Sequence, residues 1–430
     1  MREKLFYDTV KYARSKSAFY RQLYQGIELA GKNYRDDLQR LPIINTKIVA
    51  QNQNEILCRP ADIVTHIRTS GTTGHPHLTL FKTESDLVPF DFGHRSKKSK
   101  HKRKLNMYVC DMFHGLPANL TNPMEYSVHF DSRALPAAME FLLKDHNIPG
   151  VESRVSRLLT SFANIKVFTK YLLDNEVDMA GLGLKFIAVD GGYVPPRWKQ
   201  LISRLWKTKL FDIYSMSEIK GSVVTCSECS YYHPQPALIA EVVSVDDLQP
   251  IQEGLGVLIM TSLYPFETTS PMIRYHTGDL FQVASGNCVD LCLRPRGRLE
   301  FSFQAKSKRG SKSCIIPSGD LIDIIEELPD LSRFSEGLAL FGREEDSYWG
   351  APKFKIRANR FKNHHELSIL LQLNYDSVLY PHRPDEMRST IIEGLCQRNP
   401  TLKEWLAGGD VTVKIDFEDP GSRETFKPAK

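Results

Sequence analysis

Apolar and aromatic residues at Leu5, Phe6, Val10, Tyr12, Phe19 and Tyr20 recur at near-helical spacing, which predicts an opening helix with one face packed on the body of the protein. The next segment, QRLPIINTKIVAQN, breaks at Pro42 and can restart with Asn45 or Thr46 as a helix cap. After Ile63 the period changes, and IVTHIRTS reads as a short β-rich segment running straight into a Gly/Thr loop, GTTGHP. Further on, GLKFIAVDGGYVPP and KLFDIYSM each read as an apolar strand closing in a polar or Gly-rich turn, with helical pattern between them. Strands alternating with helices predict α/β layers.

From Ala240 to Val283 the strings EVVSV, GVLIMTSLYPF and GDLFQV are rich in β-branched and aromatic residues and predict an antiparallel sub-region. Arg294 to Ser313 combines Pro, Gly, Ser and cations without a sustained apolar period, which suits a linker or hinge. Beyond it LIDIIEELPDL has a helical period, while SEGLALFG, PKFKIRANR and VTVKIDFED read as strands. The expected fold is α/β: a large layered N-terminal core over 1–296 with a β-rich sub-region, a hinge over 297–312, and a small mobile α+β lid over 313–430. No internal repeat is visible.

Composition adds exclusions. A chain of 430 residues with 41% hydrophobic and 25% charged residues has ordinary globular usage, which rules out wholesale disorder, collagen-like structure and coiled coil. That length exceeds the usual single core and agrees with two domains. Much of the +5 net charge lies in RSKKSKHKRK, Arg95 to Lys104, which holds seven cations and no acid. The rest is close to neutral, so the run reads as a solvated loop able to hold phosphates, and a nucleic-acid partner is not indicated. Charges interrupt every apolar stretch at the N-terminus, and no apolar run approaches the roughly 18 residues of a membrane span. A cytoplasmic protein without a membrane partner is expected. Eight cysteines are too sparse for a disulfide scaffold, so their spacing matters more than their number.

The most informative string is IRTSGTTGHPH, Ile67 to His77, which lacks the spacing of a P-loop. Hydroxyls at Thr69, Ser70, Thr72 and Thr73 nevertheless surround Gly71 and Gly74, and such a loop can wrap a polyphosphate with backbone and side-chain donors. It does not stand alone. TSGTTGHP is followed in order by DIYSMSE (Asp212 to Glu218), IRYHTGDL (Ile273 to Leu280) and GRLE (Gly297 to Glu300). This ordered set resembles the core motifs of the adenylate-forming superfamily of acyl-CoA ligases, adenylation domains and luciferase. YARSKSAFYRQLY and LQRLPIINTK are similar to the phenylacetate-CoA ligase branch.

The resemblance implies an enzyme in which ATP and a carboxylate form an acyl-adenylate, releasing pyrophosphate, before a nucleophile displaces AMP. It also implies roles by position. Ser70, Gly71, Thr72, Thr73 and Gly74 would hold the β- and γ-phosphates, and Asp190, Gly191, Gly192 and Tyr193 would line the adenine and acyl sites. Tyr214 would stack on adenine, with Ser215 beside it in the nucleotide site, and Ser217 would contact the α-phosphate. Glu218 would bind Mg²⁺, a hard cation suited to oxygen ligands. Asp279 would accept from the ribose hydroxyls, and Arg298 would contact the nucleotide at the hinge. Near the C-terminus, Lys427 or Lys430 would stabilise charge on the adenylated carboxylate, with Lys427 favoured.

Departures accompany the match. His77 stands where the pattern usually has lysine, the hinge acid occurs only as Glu300, and KSKRGSKS replaces the following glycine loop. His114, in MFHGL, falls near the expected acyl pocket.

Cys226, Cys229 and His233 in TCSECSYYH, with Cys288 and Cys292 in NCVDLC, offer five candidates for the four N/S ligands of a structural Zn²⁺. Similarity to relatives of this branch favours Cys226, His233, Cys288 and Cys292, leaving Cys229 as the spare. Cys58, Cys110, Cys314 and Cys396 are isolated and read as core thiols.

The expected activity is thus an AMP-forming acid–thiol ligase using ATP and Mg²⁺, acting on a small, aryl-type carboxylic acid, with coenzyme A or an acyl carrier protein as acceptor. The alternatives are another acceptor (an amine, or AMP transfer to a hydroxyl) and a degenerate nucleotide-binding member. A monomer or a homodimer is compatible with the sequence.

Overall fold

A computed structural model describes residues 1–69, 78–87, 103–110, 125–129, 134–285, 288, 291–306, 313–334, 348–361 and 364–421. Contacts divide the chain into two compact units: Met1–Phe162, Ala180–Gly192 and Trp206–Arg294 form the first, and Ala163–Met179, Tyr193–Leu205 and Pro295–Lys430 the second.

In the first unit the expected opening helix is α1 (Arg2–Lys16), which buries Phe6, Thr9, Val10 and Ala13. Ser17 ends it in an extended conformation and caps α2 (Ala18–Leu23), accepting from the Tyr20 amide, so Phe19 and Tyr20 fall on a separate helix. Short helices α3 (Tyr34–Gln39) and α4 (Thr46–Gln51) follow, and Asn45 caps α4 as the sequence suggests. Strands β1 (Ile63–Arg68) and β2 (Thr79–Thr83) pair antiparallel, leading into the one-turn helix α5 (Glu84–Leu87).

An eleven-stranded sheet dominates this unit. Strands β3 (Arg103–Cys110), β4 (Glu125–His129), β5 (Val151–Ser161), β6 (Phe186–Asp190) and β7 (Lys209–Met216) run parallel in the order β4-β3-β5-β6-β7. Parallel strands need crossover connections, and α6 (Ala134–Leu143), with Leu135, Ala138 and Leu142 buried, lies in the one from β4 past β3 to β5. Beyond β7 the sheet becomes antiparallel through β8 (Ile219–Thr225), β9 (Tyr232–Pro234), β10 (Leu238–Val243), β11 (Gly254–Ser262), β12 (Tyr275–Ala284) and β13 (Cys292–Arg298). The expected antiparallel sub-region therefore extends the main sheet. Side chains alternate across a strand, and on one face of the parallel part Met107, Leu158, Ile187 and Val189 are fully buried. The opposite face carries the half-buried Tyr108, Arg157, Leu159, Phe186 and Asp190.

The second unit contains most of α7 (Phe162–Asp174) and α8 (Pro196–Trp206), grouped by contacts with residues 295–430. The sequence boundaries 1–296, 297–312 and 313–430 assign these helices to the N-terminal core instead. The stretch expected as linker contains β14 (Phe303–Lys306), which pairs antiparallel with β15 (Ser313–Ile316) at its far end. Phe303 and Ala305 alternate inward with the exposed Gln304 and Lys306, a period-two pattern too short to stand out among the cations. Helix α9 (Ser318–Glu326) matches the helical period of LIDIIEEL. Strands β16 (Phe354–Arg360), β17 (His365–Gln372) and β18 (Val411–Glu418) form a sheet, antiparallel then parallel, with α10 (Arg383–Arg398) and α11 (Pro400–Ala407) in the β17–β18 crossover. Ile324, Leu367, Ile369, Ile391, Leu395 and Trp405 build its core. The expected strand SEGLALFG lies outside the described residues. Among the described residues no helix is long and apolar enough to cross a membrane.

Candidate nucleotide and metal sites

The Gly/Thr loop, Ser70 to His77, lies outside the described residues, but its two ends are clamped. Arg68 is registered with Thr79, the Thr69 amide donates to the Leu78 carbonyl at 3.0 Å, and the Leu78 amide donates to Thr69 Oγ1 at 2.9 Å. His114, Lys427, Lys430 and the run Arg95–Lys102 also lie outside the described residues.

Strand β7 marks the junction of the parallel and antiparallel parts of the sheet. It ends at Met216, which pairs with Ile219, so Ser217 and Glu218 form a two-residue hairpin turn, with Ser215 exposed just before it. The Tyr275 hydroxyl donates to Glu218 Oε1 at 3.4 Å and also meets Thr46 Oγ1 at 2.8 Å. Tyr275 of β12, itself tied to the first residue of α4, thus orients the glutamate.

Asp279 sits at an irregularity in β12. The pairing of β11 with β12 shifts between Val257 and Ile259, opposite a segment in which Gly278 adopts φ +79°. Such bulges re-aim side chains. The Asp279 amide donates to Thr277 Oγ1 at 3.1 Å, and its Oδ2 accepts from the Tyr214 hydroxyl at 2.6 Å. Tyr214 in turn meets Phe281 edge-on, with centroids 5.0 Å apart. The structure therefore joins the residues expected at adenine and at ribose by a direct hydrogen bond, which the sequence did not foretell.

At the end of β6, Asp190 is registered with Ser161. Gly191 follows at φ +75°, a conformation that favours glycine. Asp190 to Gly192 belong to the first unit and Tyr193 to the second. Tyr193 donates its hydroxyl to Asp323 Oδ1 at 2.8 Å, and Arg398 donates to Asp323 Oδ2 at 2.9 Å. Burial, reinforced by the Asp323 charge, pushes the Tyr193 hydroxyl well above its ordinary pKa. In the same unit Arg298 closes β13, its carbonyl accepting from Ser302 Oγ at 2.6 Å. Its neighbour Gly297, at φ +98°, is obligatory because a Cβ there would lie 2.2 Å from Ser318 Oγ and 2.8 Å from the Gly319 nitrogen.

Sequence reading missed a buried ionic knot in the first unit. Asp86 accepts from the Thr268 amide at 2.7 Å, Thr268 Oγ1 at 2.9 Å, Thr83 Oγ1 at 3.0 Å, the Thr83 amide at 3.1 Å, and the Thr269 hydroxyl. Burial alone would raise its pKa, but these donors hold it below the ordinary carboxylate value. Lys82 Nζ donates to Glu267 Oε2 at 2.8 Å, both side chains being almost fully buried. Burial raises the Glu267 pKa despite Lys82. The only signals in the sequence were the lysine and threonine of β2 and the string PFETTSP.

Cys226, Cys229, His233 and Cys288 converge, their ligand atoms all lying within 4.8 Å of one another. His233 Nδ1 lies 3.1 Å from the Leu291 carbonyl, which can only accept, so Nδ1 carries the proton. That leaves the Nε2 lone pair directed at Cys229 Sγ, 3.1 Å away. Amides of Cys229 and Glu228 lower the Cys226 pKa, favouring its thiolate. The foursome differs from the expected one. Cys229 belongs to it, because the turn through Ser230, at φ +61°, folds Cys226, Cys229 and His233 together. Cys292 adjoins Cys229 but is buried at the start of β13, outside the four.

No family model matches the chain, and no curated protein matches it in sequence. Solved structures do. 2-Hydroxyisobutyryl-CoA ligase in the postadenylation state, in complex with R3-HIB-AMP, superposes with a TM-score of 0.66 at 14% identity, covering 100% of this chain and 88% of that chain. An open conformation of the same ligase, in complex with 2-HIB-AMP and CoA, gives 0.64 at 14% identity, covering 100% and 90%. The ATP-bound RpMatB-BxBclM chimera B1 gives 0.50 at 13% identity, covering 86% and 67%. The likeness spans the whole chain, and with it this protein has the fold of the adenylate-forming ligases.

Proposed function

We propose that the chain is an ATP-dependent ligase that joins a carboxylic acid, aryl by preference, to AMP with release of pyrophosphate, then passes the acyl group to a thiol such as coenzyme A. The observation that carries this reading is the hydrogen bond between Tyr214 and Asp279, with Tyr214 on the strand that runs directly into the Ser217–Glu218 hairpin turn. Fold likeness alone would not carry an activity.

A carboxylate resists attack because oxide would have to leave, and AMP turns that oxygen into a good leaving group. In this reading Asp279 accepts from the ribose hydroxyls, and Tyr214 presents its ring to adenine. Ser215 and Ser217 face the α-phosphate from the strand end and turn, and Ser70 to Gly74 cradle the outer phosphates. Asp190, Gly191 and Gly192 border the acyl group. Arg298 and Lys427 are the cations assigned to the nucleotide and to the activated carboxyl. Glu218 is a hard-oxygen donor suited to Mg²⁺, which neutralises phosphate charge when bound.

Cys226, Cys229, His233 and Cys288 fit structural Zn²⁺: four N/S donors, with the imidazole orientation fixed by a backbone carbonyl and no place left for substrate. Metal analysis of purified protein is expected to give about one Zn per chain. Cys229→Ser should lower it and Cys292→Ser should retain it; the reverse pattern would restore the set expected from sequence.

The reading is tested by carboxylate-dependent ATP/pyrophosphate exchange over aryl, heteroaryl and aliphatic acids, which needs no knowledge of the acceptor. Exchange with one acid class is the expected result. Bound nucleotide with no exchange for any acid would replace the ligase reading by AMP transfer to another group or by binding without turnover.

A further inference from the structure

Helix α9 carries three buried acids. Asp320, Asp323 and Glu326 follow one another at three-residue spacing, a slanting stripe along the helix, and are 1%, 6% and 3% exposed. Acids are almost never buried to this degree unless paired, and each of these is paired. Asp320 forms an ion pair with Arg296 and accepts from Asn399 Nδ2 at 3.1 Å. Asp323 accepts from the Tyr193 hydroxyl at 2.8 Å and from Arg398 at 2.9 Å. Glu326 accepts from Arg333 at 2.7 Å, with Arg197 at 3.8 Å. Buried ion pairs are often no more stabilising than apolar side chains of similar volume. What they do fix is direction, because a bonded carboxylate holds its partner at a set distance and angle.

Two of the held partners are joined directly to residues assigned to the reaction. Tyr193 follows Asp190, Gly191 and Gly192 in the chain. A turn built on two adjacent glycines does not fix its own shape, since glycine restricts the backbone least, so the residue at its exit decides which conformation it keeps. Arg296 stands two residues before Arg298 at the end of β13. A second link serves the same end: the Ser318 amide donates to Ser302 Oγ at 3.1 Å, and Ser302 Oγ donates to the Arg298 carbonyl at 2.6 Å. Gly319 lets both segments reach the first turn of α9, because a Cβ there would lie 2.7 Å from the Arg296 carbonyl oxygen and 3.3 Å from Tyr193 Cζ. Glu326, at the other end of the stripe, holds no such residue.

We propose that Asp323 and Asp320 are positioning residues for adenylation: Asp323, through Tyr193, sets the turn Asp190–Gly192 that borders the acyl group, and Asp320, through Arg296, sets Arg298 at the nucleotide. The inference rests on the proposed adenylation and on those two assignments. Neither aspartate touches a substrate. Tyr193, expected from sequence to line the site, serves as the tether of the turn, with its hydroxyl committed to Asp323. The two arms act on different substrates, so their loss is felt separately by the acid and by ATP, whereas a helix that only stabilised the fold would affect both alike.

The experiment uses the full chain and measures ATP/pyrophosphate exchange with the acid that supports it best, varying acid and ATP separately and recording the unfolding midpoint of every variant. Tyr193→Phe and Asp323→Ala should each raise KM for the acid about fivefold, the worth of one hydrogen bond, and leave KM for ATP within about twofold. The double variant should be no worse than Asp323→Ala alone, because the two residues act as one unit. Asp323→Asn, which still accepts from Tyr193, should bring KM for the acid back toward the wild-type value. Asp320→Asn should give the opposite split, with KM for ATP raised about fivefold and KM for the acid held. Glu326→Gln is the control, expected to lower the midpoint without either split. If Asp323→Ala does not fold, Tyr193→Phe and Asp323→Asn carry the comparison. KM values that stay at the wild-type level in the Tyr193 and Asp323 variants, or that rise together in proportion to the fall in midpoint, make α9 a structural helix and overturn the inference while adenylation stands. A split for one aspartate alone overturns the role of the other. No exchange by the wild-type chain with any acid overturns the adenylation reading and this inference with it.

Discussion

Two sets of acids in the first unit show opposite uses of the same side chains. Asp86 is surrounded by two backbone amides and three threonine hydroxyls, so its acceptor capacity is spent inside the protein. Each of the four lone-pair directions of a carboxylate is taken, and a fifth donor shares them. Glu218 and Asp279 are only half-buried, and tyrosine hydroxyls at 3.4 Å and 2.6 Å support them. A tyrosine donates one proton, which orients a carboxylate without enclosing it. The first arrangement is a structural rivet, and the second is a half-buried, tyrosine-oriented anion.

The largest effect that could break this contrast concerns Glu218. Glu218→Gln is expected to lower ATP/pyrophosphate exchange at least about a hundredfold, roughly 3 kcal/mol of transition-state stabilisation, with the unfolding midpoint nearly unchanged. A large fall in the midpoint would make Glu218 a rivet too. Next comes Asp86→Ala, which strands two amides and three hydroxyls in a buried site. It should cost about 3 kcal/mol or more, measured by denaturant unfolding, and a loss below about 1 kcal/mol would show that water replaces the carboxylate.

Acid titration sharpens the contrast within the knot itself. The folded-state pKa of Asp86 is depressed, so its contribution is present above the unfolded carboxylate value, about 4, and is lost as pH falls through the folded value. Glu267 has a raised folded pKa, so its term runs the other way: it is most favourable when protonated and weakens as pH rises through that value. Asp86→Asn should therefore flatten the acid-side fall in unfolding midpoint, and Glu267→Gln should steepen it. Parallel shifts in both variants would mean that the Lys82–Glu267 pair and Asp86 titrate as one unit.

These acids also show what was legible in the chain. Glu218 and Asp279 sit in strings whose order resembles a known set, so their neighbourhood was readable although their tyrosine partners were not. Tyr214 and Asp279 are far apart in sequence and meet because β7 and β12 belong to one sheet, and no local period encodes such a meeting. Asp86 was illegible for the same reason, its donors coming from Thr83 nearby and from the distant Thr268 and Thr269. Strands such as KLFDIYSM and the α4 cap at Asn45 were legible because alternation and capping are local. The choice of Cys229 over Cys292 turned on one left-handed residue, Ser230, whose conformation the spacing of cysteines does not specify.

The smallest effect is the most discriminating between the two tyrosines. Tyr214→Phe removes a 2.6 Å bond to Asp279 but keeps the ring and its edge-on contact with Phe281. Asp279 then turns more freely, and the loss should be about 1 kcal/mol, a several-fold rise in KM for ATP with kcat little changed, as expected when ground state and transition state share the interaction. Tyr275→Phe breaks a 3.4 Å bond to Glu218, near the limit of hydrogen bonding, while its hydroxyl is shared with Thr46. It should therefore change ATP affinity less and touch kcat more, because Glu218 is the residue assigned to the metal. If Tyr275→Phe were the more damaging variant for KM, Tyr275 and not Tyr214 would be the group that orients the nucleotide.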